Sequence, residues 1–265
     1  MTTAPGSHKN QIRRAFDRAA PAYDSAAHIQ NSAAQRLLAF AKAQSLPPRV
    51  RRVLDAGCGT GQSLTALMAR FPQAQCVALD FSAAMLARAA QTASSALPVC
   101  ADIECLPLKD ASVDFYWSNL ALQWCSPAMA LKEVARTLAP GGVARIATLG
   151  PRTLHELRTA FSAVDDGVHV IDFIDTGDWL EAAKNTGLTV QFYLQETLFD
   201  FATELRSLLG NIKAIGARTV IGHQRRILGR RAWHILQSAY ETFRRPDGML
   251  PATYDLILIA LRKPA

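Results

Sequence analysis

Three carboxylates and one amide stand where apolar runs end. Asp55 falls in "VLDA", Asp80 closes "CVALD", Asp102 closes "PVCAD" and Asn119 closes "VDFYWSN". Glycines follow the first run at alternate positions, Gly57, Gly59 and Gly61. Such glycines let a chain turn tightly and let a ligand approach its backbone. A carboxylate about 20 residues beyond such a turn can accept hydrogen bonds from ribose hydroxyls, and Asp80 stands there. A dinucleotide site asks for G-x-G-x-x-G, with a pyrophosphate on the helix that follows. This chain has G-x-G-x-G, and Asp55 lies two residues ahead of it. An anion-binding turn does not call for that carboxylate. A ligand with an ammonium group does, directly or through water. The set points to S-adenosylmethionine rather than NAD.

These residues meet only if their runs are parallel strands that share a carboxyl end. The pattern supports this. Residues 50–56, 76–80, 98–102, 113–119 and 143–149 read as buried strands, and 61–71, 82–93 and 126–138 as the helices between them. Ser82 and Ser126 are expected N-caps, and "APGG" at 139–142 an expected stop and turn. Alternating strands and helices imply a parallel sheet with right-handed crossovers. Residues 188–199 and 253–262 have strand character, and helical patterns at 201–217 and 230–243 form an insertion between them. The N-terminal stretch 10–44 is helical with a break near Pro21.

The chain of 265 residues suits a single domain, with a lid segment at 1–49, a core at 50–199, the insertion at 200–252 and a last strand at 253–265. No apolar run is long enough for a membrane span, and the start lacks the apolar core of a secretory leader. Five cysteines, an odd number, read as reduced thiols in the cytoplasm. Cys100 and Cys105 lack zinc-site spacing, so no metal is expected. The net charge of +7 is uneven along the sequence: +7 over residues 1–52, −6 over 53–199, +5 over 200–252 and +1 beyond. Two basic flanks around an acidic centre favour an acidic macromolecular partner.

The motif residues resemble the class I S-adenosylmethionine-dependent methyltransferases. "VLDAGCGTG", "ALDFSAAML" and "ADIECLPL" are similar to their first three motifs. The resemblance implies an α/β, Rossmann-like doubly wound sheet of seven strands, mostly parallel with the last antiparallel. It implies Asp80 on the ribose, Phe81 and Met85 flanking the adenine, Asp102 at the adenine amino group and Ile103 nearby. The tetrapeptide of many nucleic-acid methylases, "NPPF" or "NPPY", is absent. That argues against base flipping, and no nucleic-acid partner is expected.

A narrower resemblance rests on "AFDRAAPAYDSAAHIQ", "WSNLALQWC", "TLGPRTLHEL" and "IKAIGA". Together these are similar to the malonyl-[acyl-carrier protein] O-methyltransferase family of biotin synthesis. That resemblance implies methylation of the free malonyl carboxylate on an acidic carrier protein. It also implies that Tyr23 and Gln30 close over the cofactor and that the N-terminal and inserted helices form a lid. A carboxylate is ionised at neutral pH, so no general base is required. Lys213 and Arg218 are candidates for the malonyl carboxylate or the carrier phosphate, or are solvated helix charges. His169 lies about 20 residues past the fifth strand and is a further candidate for positioning the acceptor. Two other readings share the core: a methyltransferase of small carboxylates such as aconitate, and a non-catalytic S-adenosylmethionine-binding protein.

Overall fold

The computed structural model describes residues 5–42, 46–216 and 228–265. Seven strands form a single sheet in the order β3-β2-β1-β4-β5-β7-β6. They are β1 (Arg52–Ala56), β2 (Gln75–Asp80), β3 (Leu97–Cys100), β4 (Val113–Asn119), β5 (Leu138–Leu149), β6 (Thr189–Ala202) and β7 (Leu250–Arg262). Neighbours from β3 to β5 pair in parallel, and β7 runs antiparallel to β5, with Leu149 opposite Leu256 and Val143 opposite Arg262. The chain order reverses at β1, between β2 and β4. That is the switch point at which an open α/β sheet holds a ligand.

The helices are α1 (Pro5–Ala19), α2 (Tyr23–Ala26), α3 (His28–Lys42), α4 (Gln62–Arg70), α5 (Ala83–Thr92), α6 (Pro127–Thr137), α7 (His155–Ser162), α8 (Thr176–Asn185), α9 (Leu205–Ala214) and α10 (Arg230–Glu241). The break near Pro21 is present between α1 and α2. Ser82 caps α5 by accepting a hydrogen bond from Met85 N–H at 3.2 Å. Ser126 differs from expectation: its side chain makes no cap bond at the start of α6, which opens on Pro127. The Ser126 N–H donates instead to Glu104 Oε1 at 2.5 Å.

"APGG" also departs from the expected turn. It ends α6, yet residues 139–142 stay within β5 as a wide irregularity, where Val113 pairs with Leu138 and Phe115 already with Val143. Gly141 takes φ +75° there, and the chain is held by Gly141 N–H to Lys263 O and Lys263 N–H to Gly142 O. The third strand stops at Cys100, two residues short of Asp102. The predicted helix from 201 starts only at Leu205, because Phe199 and Phe201 continue β6 with stacked rings.

The chain forms two compact units. One comprises Gln30–Gly150, Ile174–Glu196 and Leu256–Ala265. Its core packs Leu54, Leu79, Tyr116, Ile146, Ile257 and Ile259 of the sheet against Leu131 and Val134 of α6 and Trp179 of α8. Leu131 and Val134 lie on the buried stripe of α6, three residues apart, as an amphipathic helix requires. Truncating Leu131 to Ala should cost about 2–5 kcal/mol.

The other unit comprises Met1–Ile29, Pro151–Phe173 and Thr197–Asp255. Buried polar ties organise it. Glu156 accepts from the N–H and hydroxyl of Thr253, Asp255 accepts from the Arg152 N–H and guanidinium, and Tyr240 donates to Pro251 O at 2.8 Å. The charge pattern looks different by unit than along the sequence. The sheet unit carries 14 basic and 11 acidic side chains, and the second unit 15 and 11. The arginines of residues 36–52 belong with the sheet, so that unit is not acidic.

Candidate functional site

β1 ends at Ala56 and the chain turns at once through Gly57, Gly59 and Gly61, with φ of +78°, +53° and +85°. Each glycine is there for a different reason. A Cβ on Gly57 would stand 2.2 Å from the Ala121 side chain, so the segment after β4 excludes one. A Cβ on Gly61 would stand 3.0 Å from Ala89 Cα, where α4 meets α5. A Cβ on Gly59 would meet nothing within 4 Å. Two glycines therefore serve the packing of the chain on itself. Gly59 has open space beside it and is the one whose backbone a ligand can approach.

The turn is fixed to β2. Gly57 N–H and Cys58 N–H both donate to Leu79 O, at 2.7 and 2.9 Å. Asp80 extends the tie: its Oδ2 accepts from Gly59 N–H at 3.0 Å and its Oδ1 from Ser82 N–H at 2.8 Å. The buried carboxylate is thus held in one plane at the mouth of the turn.

Asp55 is 1 % exposed, and its Oδ2 has no hydrogen-bond partner. Burial, and secondly the Asp80 charge, push its carboxyl up to about 8. A buried acceptor without a partner costs about 1–3 kcal/mol, and a cation would relieve both strains. Two more unpartnered oxygens belong to the same unit, Gln30 Oε1 on α3 and Asn119 Oδ1 at the end of β4. The Asn119 amide donates to Gln30 O at 3.0 Å, which ties α3 to the strand end. A set made only of acceptors fits the ammonium group of an amino acid and does not fit a pyrophosphate.

The adenine candidates are arranged as follows. Ile103 is buried, with its Cδ1 3.5 Å from the place a Gly57 Cβ would take. Met85 is buried on α5, and Phe81 is half-buried between β2 and Ser82. Asp102 lies past the end of β3 and its Oδ1 accepts from Glu104 N–H at 3.0 Å. It is placed by a turn rather than by a strand.

One residue escaped the sequence reading. Gln123 lies in the 3-10 turn Leu122–Trp124, and its amide donates to Leu120 O at 2.7 Å, leaving Oε1 buried without a partner. Leu120 holds φ +49°, a left-handed conformation uncommon outside glycine and often found at functional sites. The available signal was a polar residue four places beyond Asn119 in an apolar stretch.

The remaining candidates belong to the second unit. Tyr23 on α2 has its ring 6.5 Å from that of Phe16. His169 stacks on Phe161 at 3.9 Å and bonds Asp165 Oδ1 at 2.6 Å, and Asp165 also accepts from Gly167 N–H. Lys213 is exposed on α9. Arg218 lies outside the described residues. Among the described residues, no group of three or more His, Cys, Asp or Glu side chains is placed to hold a metal, and no helix is long and apolar enough to cross a membrane.

Comparison with known proteins places the chain in a family. A methyltransferase domain family model matches residues 54–146. The malonyl-[acyl-carrier protein] O-methyltransferase of Dechloromonas aromatica (strain RCB) is 44% identical over 96% of this chain and 95% of its own. The biotin biosynthesis bifunctional protein BioHC of Cellvibrio japonicus (strain Ueda107) is 37% identical over 99% of this chain and 52% of its own. Among solved structures, geranyl diphosphate C-methyltransferase of Streptomyces coelicolor A3(2), in complex with S-adenosyl-L-homocysteine, matches with a TM-score of 0.53 at 16% identity, over 86% of this chain and 78% of its own. That likeness shows the shared fold. On the strength of its near full-length relatives, the chain belongs to the malonyl-[acyl-carrier protein] O-methyltransferase family.

Proposed function

We propose that this chain transfers a methyl group from S-adenosylmethionine to the free carboxylate of a malonyl thioester on acyl-carrier protein, a step of biotin synthesis. The observation that carries the cofactor half is the buried, partnerless Asp55 carboxylate beside a glycine turn already bonded to Asp80. The acceptor half rests on family membership. S-adenosylmethionine supplies an electrophilic methyl group on a sulfonium. The chain's own residues hold and orient. Asp55, with Asn119 and Gln30, takes the ammonium group. Asp80, locked by Gly59 and Ser82, takes the ribose hydroxyls, and Asp102 the adenine amino group. Phe81, Met85 and Ile103 give the adenine an apolar bed.

The acceptor is a carboxylate, already ionised near neutral pH. No side chain has to remove a proton, and the work is positioning and exclusion of water. Lys213 is the described candidate for the acceptor's negative charge, with Arg218 outside the described residues. All five cysteines are free thiols, in keeping with a reducing cytoplasm.

The test is transfer from labelled methyl donor to malonyl-carrier protein, malonyl-CoA or aconitate, each alone and in competition. Preference for the carrier-borne malonyl group supports the reading. Turnover of aconitate alone would replace it with a small-carboxylate methyltransferase. Binding of the donor without any transfer would replace it with a non-catalytic binding protein.

A further inference from the structure

Among the described residues, the second unit holds both paired and unpaired arginines; Arg13, Arg14 and Arg18 on α1 make no ion pair. Arg152 pairs with Asp255, Arg158 with Asp172, Arg244 with Glu241 and Arg245 with Asp247. Arg206, Arg230 and Arg231 are exposed and make no ion pair among the described residues. These three are brought together by two helix starts. Arg206 is in the first turn of α9, and its guanidinium carbon lies 5.5 Å from the Trp233 ring centre, in the first turn of α10. Arg230 and Arg231 open α10 itself.

The balance of charge at this edge favours an anion. Glu204, the exposed N-cap residue of α9, is set against the three arginines, and within the two helices no acidic residue comes before Glu241. Neither has a side-chain cap on its first-turn amides, and both macrodipoles present their positive ends here. The Trp233 indole lies close enough to hold the Arg206 guanidinium by a cation–π contact. Surplus cations that the fold leaves unneutralised on one face mark a surface that meets negative charge.

Resting on the reading that the acceptor is delivered by a carrier protein, we propose that Arg206, Arg230 and Arg231 form the surface that docks the acidic carrier. The patch acts on encounter. It lowers KM for the carrier-borne acceptor and leaves the methyl-transfer step alone.

The test compares Arg230→Glu/Arg231→Glu, and separately Arg206→Glu, with the control pair Lys109→Glu/Lys184→Glu, which are exposed lysines of the sheet unit. Titration with S-adenosylmethionine checks that each variant is folded, and Arg206→Gln/Arg230→Gln/Arg231→Gln is a milder form. For malonyl-carrier protein, kcat/KM should fall at least about tenfold at low salt, through KM, and the gap should narrow in high salt because the charges are exposed. Malonyl-CoA turnover and the control pair should stay within about twofold of the parent. An equal fall on malonyl-CoA would mean that the patch reads the arm's phosphates, and an equal fall in the control pair that net charge alone matters. Either result, or no loss, overturns the proposal. A parent enzyme that methylates a small acceptor but not the carrier overturns the substrate reading itself, before any variant is compared.

Discussion

The Gly59 N–H donates to Asp80 Oδ2 at 3.0 Å. This bond makes the glycine turn after β1 and the carboxylate at the end of β2 a single rigid part. Asp80 anchors the turn, and in the proposed reading it also receives the ribose. The two tasks are separable by substitution. Asp80→Ala should lose S-adenosylmethionine affinity and stability together. Asp80→Asn keeps one carbonyl acceptor and should hold most of the stability. Its affinity should still fall, since charge-assisted bonds to a carboxylate pair are worth on the order of 2–4 kcal/mol. Calorimetry showing parental affinity in Asp80→Asn would remove the residue from the ribose site.

Asp55 gives the site a pH dependence whose sign is fixed. Its carboxyl is raised from 3.8 to about 8 in the folded protein, so the folded state holds the proton more tightly than the unfolded chain. Its contribution to stability is full below pH 3.8 and is lost as pH rises through about 8. A bound ammonium needs the ionised form. Affinity for S-adenosylmethionine should therefore climb between pH 6 and 8, by up to about tenfold per unit. Asp55→Asn should flatten that slope and weaken binding at pH 8. A slope that survives the substitution would assign it to another group.

The glycines should rank by their surroundings. Gly57→Ala meets the Ala121 side chain and a left-handed φ at once, so it should destabilise the protein severely. Gly59→Ala meets open space and pays only for its φ, about 1–2 kcal/mol. Its larger effect should be on cofactor affinity. Thermal melts and titration of the two variants check the order, and a Gly59→Ala protein that melts lower than Gly57→Ala would contradict it.

Gln123→Leu removes a buried oxygen that has no partner and, with it, the 2.7 Å bond from the amide to Leu120 O. The two changes oppose each other, so the free protein should melt close to the parent. Methyl transfer should fall. Unchanged turnover in a Gln123→Leu protein of parental stability would mark the residue as an unused strain of the fold.

The sheet was legible because its strands are apolar runs closed by polar residues, as at Asp55, Asp80 and Asn119. The helices α7 and α8 were not, although Asp175 caps α8 by accepting from Asp178 N–H and Gly187 follows its end with φ +79°. Their short apolar stripes are broken by charged residues and do not stand out from loop sequence. "APGG" reads as a turn from composition, yet pairing with Lys263, over a hundred residues away, keeps it within β5. The strand-end carboxylates were readable by position, and so were the partners expected of Asp55 and Asp80. Position could not show which oxygens the backbone already engages at Asp80 and leaves unmet at Asp55. Charge misled in a similar way, since the basic segment from 36 to 52 folds into the sheet unit rather than standing apart from it.

The central claim is that the acceptor is a carboxylate on a carrier-borne malonyl group, and a pH profile with paired substrates tests it most directly. With saturating S-adenosylmethionine, kcat on malonyl-carrier protein should be level from pH 6 to 8, because the nucleophile is already ionised and Asp55 is held ionised by its ligand. At low S-adenosylmethionine, the rate should rise with pH as Asp55 dictates. Acetyl-carrier protein, which lacks the free carboxylate, should accept no methyl group at any pH. Methylation of acetyl-carrier protein at a comparable rate, or a kcat that keeps rising through pH 8 at saturation, would contradict the account.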